Sequence, residues 1–116
     1  MSYALITGGS KGIGKAIALQ LASRKYNILL VARNEKDLQT TAAEIRSLHQ
    51  VDVKYLSVDL SNTTAAETIL QWCMTGNFTV QILVNNAGYG IAGRFENAAL
   101  SDHLNMLQVN VYSQVA

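Results

Sequence analysis

Apolar runs of strand length alternate along this chain with segments whose apolar residues recur at helical spacing. Residues 3–7 (Tyr3-Ala4-Leu5-Ile6-Thr7) are nearly all apolar up to a cluster of glycines, the pattern of a strand buried on both faces. In residues 12–23, Ile13, Ile17 and Leu21 stand at i, i+4 and i+8 and predict one inward helical face. Residues 27–32 predict a second buried strand. Asn34 is placed to cap the next helix, with Leu38, Ala42, Ile45 and Leu48 on its inner stripe and Glu35 and Asp37 near its positive end. Residues 53–58 alternate and predict a third, more exposed strand. Ser61 or Asn62 then caps a helix presenting Ala65, Ile69 and Cys73. Residues 80–84 predict a fourth strand, followed by a glycine-rich loop over 88–93. Ser101 opens a last helix with Leu104, Leu107, Val111 and Val115 inside. Strand and helix in strict alternation predict an α/β fold with a doubly wound parallel sheet, in a single domain over 1–116.

Composition narrows the class without naming the chemistry. Of the 116 residues 49% are hydrophobic and 15% charged, enough apolar surface for a core and too much for a disordered chain. The net charge of +1 gives no field that would draw in nucleic acid or an anionic membrane, so any phosphate must be recognised locally. Cys73 is the one cysteine, which rules out an intrachain disulfide, and nothing suggests an oxidising compartment. No basic leader precedes the first strand, and no apolar run approaches a bilayer span. A cytoplasmic domain is expected, with neither membrane nor nucleic acid as partner. The chain contains no proline and no linker, and it closes on Gln114-Val115-Ala116 without a helix stop signal. That ending reads as a cut in mid-helix. With only a helix after it, the fourth strand is expected to form a bare sheet edge, on which a piece of this length would associate.

The densest chemical signal is Thr7-Gly8-Gly9-Ser10-Lys11-Gly12-Ile13-Gly14, between the first strand and the first helix. Gly8 allows a sharp turn off the strand, while Gly12 and Gly14 let backbone amides approach a diphosphate with no Cβ in the way. The helix start contributes about half a positive charge at the same place. A tight turn alone also needs glycine; the strand before it and the helix after it favour the phosphate loop.

The Thr-Gly-x-x-x-Gly-Ile-Gly form of this loop resembles the short-chain dehydrogenase/reductase family, and three further matches follow in order. Asp59-Leu60 closes the third strand, Asn85-Asn86-Ala87-Gly88 closes the fourth, and Asn110 stands within Val109-Asn110-Val111. The resemblance spans nearly the whole chain and implies a Rossmann-type sheet. It implies cofactor contacts at Gly8, Gly9, Ser10, Lys11, Gly12, Ile13, Gly14, Asp59, Leu60, Asn86, Ala87 and Gly88, and a catalytic asparagine at Asn110. Each residue also has a plainer use. Asp59 could cap the following helix, and Asn85 could tie neighbouring strands together. Asn110, on an otherwise apolar helix, needs polar partners in any case.

The second strand ends Val31-Ala32-Arg33, with Ala32 where relatives that prefer NAD carry an acid. Arg33 offers a planar multi-donor cation, and Lys11 a second charge from the glycine loop. That pair resembles the members of the family that use NADP. The alternative is that both are ordinary solvated charges.

Family chemistry implies hydride transfer between NADP(H) and a carbonyl or alcohol substrate, with a tyrosine acid/base assisted by a lysine four residues on. No tyrosine here has that partner: Tyr3 meets Thr7, Tyr26 Leu30, Tyr55 Asp59, Tyr89 Gly93 and Tyr112 Ala116. A chain of this extent is therefore expected to hold the dinucleotide-binding half without turnover, as part of an enzyme that forms homo-oligomers at full length. The competing reading is a non-catalytic NADP(H)-binding sensor or interaction module. His49 and His103 show no metal-ligand spacing, Cys73 and Trp72 read as packing residues, and Tyr89 and Ile91 carry no assigned role.

Overall fold

The computed structural model describes residues 2–8 and 10–86 in full and the backbone of 107–109. Four strands and three helices alternate: β1 (Ser2–Thr7), α1 (Gly12–Ser23), β2 (Asn27–Ala32), α2 (Glu35–His49), β3 (Val53–Ser57), α3 (Ala65–Gly76) and β4 (Thr79–Asn85), followed by β5 (Leu107–Val109). All strands pair in parallel in the order β3-β2-β1-β4-β5. The chain winds outward from β1 through β2 to β3, then returns to the other side of β1 as β4. A doubly wound sheet has its switch point there, between β1 and β4.

Alternation along each strand builds two cores. On β1, Tyr3 and Leu5 face the layer covered by α3, together with Leu29, Val31, Ile69 and Leu83. Ala4 and Ile6 face the opposite layer, where α1 and α2 lie, with Ile28, Leu30, Leu38 and Val84. Both sides of β1, β2 and β4 are thus apolar, as their uninterrupted hydrophobic runs required. β3 stands at the sheet edge and is correspondingly mixed, only Val53 being fully buried.

Three helical expectations need correction. The buried stripe of α1 is Gly14, Ala18 and Ala22, one position beyond the expected Ile13, Ile17 and Leu21. Ile17 and Leu21 flank the core, while Ile13 is 58% exposed. Small residues let this helix lie close on the sheet, and closeness decided the face. In α2, Leu38, Ala42 and Ile45 are buried as expected, joined by Thr41, but Leu48 in the last turn is 60% exposed. The cap of α3 is Thr64 rather than Ser61 or Asn62. Those two residues are consumed upstream: Asn62 Oδ1 accepts from the backbone N–H and hydroxyl of Thr64, while Ser61 donates to Asp59.

The fourth correction concerns the far edge. Leu107 was expected inside a helix, yet Leu107–Val109 runs as a strand paired with Ile82–Val84. The triplet Leu-Gln-Val alternates as well as it fits a helical stripe. Pairing gives the outer N–H and C=O groups of β4 partners they would otherwise lack. The bare edge on which self-association was expected is therefore covered along this stretch. The rest of the expected last helix, from Ser101 to Leu104 and on to Val111 and Val115, lies outside the described residues.

Candidate functional site

Parallel pairing brings the carboxyl ends of all strands to one rim, and the sequence motifs lie along it. At the switch point Thr7 ends β1 opposite Asn85 at the end of β4. The buried Thr7 hydroxyl donates to Asn85 Oδ1 at 3.1 Å and accepts from the Asn86 backbone N–H at 3.1 Å. Asn85 therefore ties β1 to β4, as its plainer reading anticipated. Asn86 reaches across the gap: its Nδ2 donates to the Gly8 carbonyl at 3.3 Å. Its Oδ1 is buried and has no hydrogen-bond partner among the described residues. A buried amide oxygen without a donor is costly, and Asn86 follows β4 at the switch point of the sheet, where ligands of open α/β sheets bind.

The loop over this crevice requires its glycines. Gly8 turns the chain at φ +70° while its N–H donates to Val31 of β2 at 2.7 Å. Gly12 opens α1 at φ +57°, a region that disfavours side chains. A Cβ on Gly12 would meet no atom of the described residues within 4 Å, so its outer side opens onto free space. Gly14 is the reverse case: a Cβ there would run into the Gly8 carbonyl and the Asn86 side chain. One glycine keeps space open for a visitor, and the other lets the helix close on the loop.

Electrostatics at this opening favour an anion. The N-cap of α1 is the extended Lys11, which makes no side-chain cap, and the first turn carries no acid. The amides of that turn and the helix dipole thus meet no carboxylate from α1 itself. An open cradle, uncapped amides and an orphaned amide oxygen are together what a diphosphate linked to a ribose would satisfy.

Helix α2 supports the loop from behind, a contribution that sequence reading missed. The buried Thr41 hydroxyl donates to the Ser10 carbonyl at 3.1 Å. Asp37, one turn earlier, pairs with Lys11 at 3.2 Å. No spacing rule could have announced either contact, because each joins residues more than 20 positions apart.

Further along the rim, Ala32 ends β2 and is almost fully buried, while Arg33 beyond it is exposed. The Ser57 hydroxyl fixes the Arg33 carbonyl at 2.7 Å, and the Val58 N–H extends the ladder to Ala32. Asp59 therefore comes up alongside Arg33. Its Oδ1 accepts from the hydroxyl and the backbone N–H of Ser61, bonds that hold its pKa below the usual carboxylate value, and the Arg33 charge adds to the effect. The Asp59 carboxylate closes its own turn and does not cap α3. Leu60 packs against the core on the α3 side. Gly8, Ser10, Lys11, Gly12, Ile13, Gly14, Arg33, Asp59, Leu60 and Asn86 thus share one rim. Gly9, Ala87, Gly88 and Asn110 lie outside the described residues, as do Tyr89, Ile91 and His103.

Nothing here recruits the cysteine. Cys73 is buried on the inner face of α3, and burial pushes its thiol from 9.0 up to about 12. Because the folded state favours the neutral thiol, this group supports the fold below pH 9 and withdraws that support as pH rises toward 12. Cys73 is expected to react with an aromatic disulfide reagent at neutral pH only as fast as the fold opens. Immediate stoichiometric labelling without denaturant would contradict this burial. No group of three or more His, Cys, Asp or Glu that could hold a metal is found among the described residues, and no helix among them is long and apolar enough to cross a membrane.

With this geometry in place, the comparisons with known proteins agree. A family model described as short chain dehydrogenase matches residues 2–116. The very-long-chain 3-oxoacyl-CoA reductase of Eremothecium gossypii is 46% identical over 89 residues, covering 75% of this chain and 25% of that protein. The protein of the same name from Kluyveromyces lactis is 33% identical over 111 residues, 94% of this chain and 32% of its own length. The chain thus spans about a quarter to a third of these relatives. Among solved structures, L-sorbose reductase from Gluconobacter frateurii, complexed with NADPH and L-sorbose, superposes with a TM-score of 0.70 at 35% identity, over 76% of this chain and 34% of that one. An alcohol dehydrogenase from Thermococcus sibiricus, complexed with 5-hydroxy-NADP, gives 0.71 at 37% identity, over 78% and 38%.

Proposed function

This chain belongs to the short-chain dehydrogenase family, and from that membership we propose that it is the dinucleotide-binding part of an oxidoreductase that moves hydride between NADP(H) and a carbonyl or alcohol carbon. The observation that carries the reading is the open cradle at Gly12, set on an uncapped helix start beside the switch point of the sheet. Gly8, Gly9, Ser10, Gly12, Ile13 and Gly14 form the diphosphate loop. Asn86 offers its orphaned Oδ1 to a ribose hydroxyl, and Ala87 and Gly88 are assigned to the same ribose from the sequence motif. Asp59 and Leu60 border the adenine. Arg33 and Lys11 grip the 2′-phosphate, with no acid at Ala32 to repel it. Bound there, the nicotinamide supplies or accepts the hydride. Asn110 is assigned the role of catalytic asparagine, holding a carbonyl or a water in place.

Reduction of a ketone is the favoured direction, and a 3-oxoacyl thioester the first substrate to try, supported by the shared name of the curated relatives. A cytoplasmic setting is expected, in keeping with the free cysteine Cys73, and family resemblance implies a homo-oligomer at full length. The test is to incubate the whole oxidoreductase, of which this chain is the dinucleotide-binding part, with NADPH and a long-chain 3-oxoacyl-CoA and follow the nicotinamide absorbance. Substrate-dependent loss is expected. Tight NADPH binding with no turnover of any carbonyl or alcohol would instead make the chain a sensor, and absence of any dinucleotide binding would sink both readings.

A further inference from the structure

Lys11 is not free to wait for a phosphate. Its ammonium lies 3.2 Å from Asp37 Oδ2, with the lysine side chain 76% exposed and the aspartate side chain 32% exposed. Asp37 Oδ2 itself is covered and has no hydrogen-bond partner among the described residues, so the ion pair with Lys11 is the interaction that compensates it there. Asp37 is fixed by its own backbone, whose N–H donates to the capping Asn34 side chain at 3.0 Å. One turn on, Thr41 holds the Ser10 carbonyl. The Asp37 backbone is thus fixed at the start of α2 and its carboxylate is the more covered partner, whereas the Lys11 side chain is largely exposed.

We propose that Asp37 is a specificity-determining residue that holds the Lys11 ammonium in reserve and weakens the preference for a 2′-phosphorylated dinucleotide. The inference rests on the cofactor reading above. A phosphate arriving beside Arg33 and Lys11 has to draw the lysine from Asp37, and it also meets the negative charge of that carboxylate. Neither effect touches a dinucleotide that lacks the phosphate. An exposed ion pair is weak, so the exchange costs little, and its removal strengthens phosphate binding by up to about fivefold. Asp37 and Thr41 therefore divide the work of α2: Thr41 sets the loop for any dinucleotide, and Asp37 tunes the response to one phosphate.

The experiment measures equilibrium affinities of the full chain for NADPH and NADH by nicotinamide fluorescence, in the parent, Asp37→Asn, Lys11→Met and the double variant. Asp37→Asn is isosteric and keeps the helix cap. It is expected to tighten NADPH binding about three- to fivefold at low salt and to leave NADH unchanged. The gain should shrink as salt rises and become markedly smaller in the Lys11→Met background. Weaker NADPH binding in Asp37→Asn would overturn the proposal by making Asp37 a supporting partner of Lys11. Equal changes for both dinucleotides would also overturn it, since they would report only loop structure. A parent that binds the two alike, with no selective loss in Lys11→Met, would instead fault the cofactor reading itself.

Discussion

Replacing Gly14 with alanine is expected to destabilise the fold by about 1–3 kcal/mol and to abolish dinucleotide binding. Two effects oppose each other. Alanine inside a helix is favoured over glycine by roughly 1 kcal/mol, which alone would stabilise α1. Against this, the added methyl would strike the Gly8 carbonyl oxygen and lie 2.9 Å from its carbon and 2.7 Å from Asn86 Nδ2. The obstacle on the Gly8 side is backbone, in a turn whose N–H is already committed to Val31. It cannot rotate away as a side-chain tip would. Asn86 can retreat only by giving up its bond to the Gly8 carbonyl. The clash therefore outweighs the propensity gain, and what moves is the loop that carries the amides. Thermal unfolding and NADPH titration of the full chain check both halves of the expectation. A variant as stable as the parent that still binds would show that α1 does not sit as close as described. Gly12→Ala is the matched control. Its methyl enters open space, so it should lose the dinucleotide while giving up only about 1–2 kcal/mol to its left-handed backbone.

The contrast between these glycines marks how far the sequence could be read. Strand positions were legible because β1, β2 and β4 are buried on both faces and their runs are almost uninterrupted. The glycine loop was legible because a strand precedes it and a helix follows. The inward face of α1 was not. Hydrophobicity ranks Ile13, Ile17 and Leu21 above Gly14, Ala18 and Ala22, yet close approach to a sheet selects for smallness, which a hydrophobic count scores as indifferent. Leu48 was misplaced because the hydrophobic stripe continues into the last turn of α2, one turn past the last buried residue, Ile45. The cap of α3 moved to Thr64 because Ser61 and Asn62, good capping residues by type, had nearer partners in their own turns. Within the site, Lys11, Arg33, Asp59 and Asn86 were legible by position. Their supports were not, because Thr7, Thr41 and Asp37 act through contacts 26 to 78 residues away along the chain. A lone threonine on a helix carries no mark of the carbonyl it will meet.

Ala32→Asp is expected to reverse the cofactor preference, lowering NADPH affinity about 10- to 100-fold. Ala32 is 6% exposed, at the last position of β2, in register with Ser57 and directly before Arg33. A carboxylate there acts in two ways that add. It repels a 2′-phosphate at short range, where two like charges near a protein surface oppose each other by several kcal/mol before screening, on the order of 4 at 4 Å. It also offers the Arg33 guanidinium a bidentate partner and so withdraws a cation the phosphate needs. Toward a dinucleotide without that phosphate the same carboxylate can accept from both ribose hydroxyls, and NADH affinity is expected to rise, though by less. The cost falls on the fold, because Ala32 belongs to the apolar layer beneath α1 and α2, and an ionised group there loses hydration. Melting temperature must therefore be measured alongside the two affinities, since a partly unfolded variant would lose both cofactors together. A well-folded Ala32→Asp variant that still prefers NADPH would mean that the phosphate is gripped elsewhere than at the end of β2. Arg33 would then be what its exposure alone suggests, a solvated surface charge.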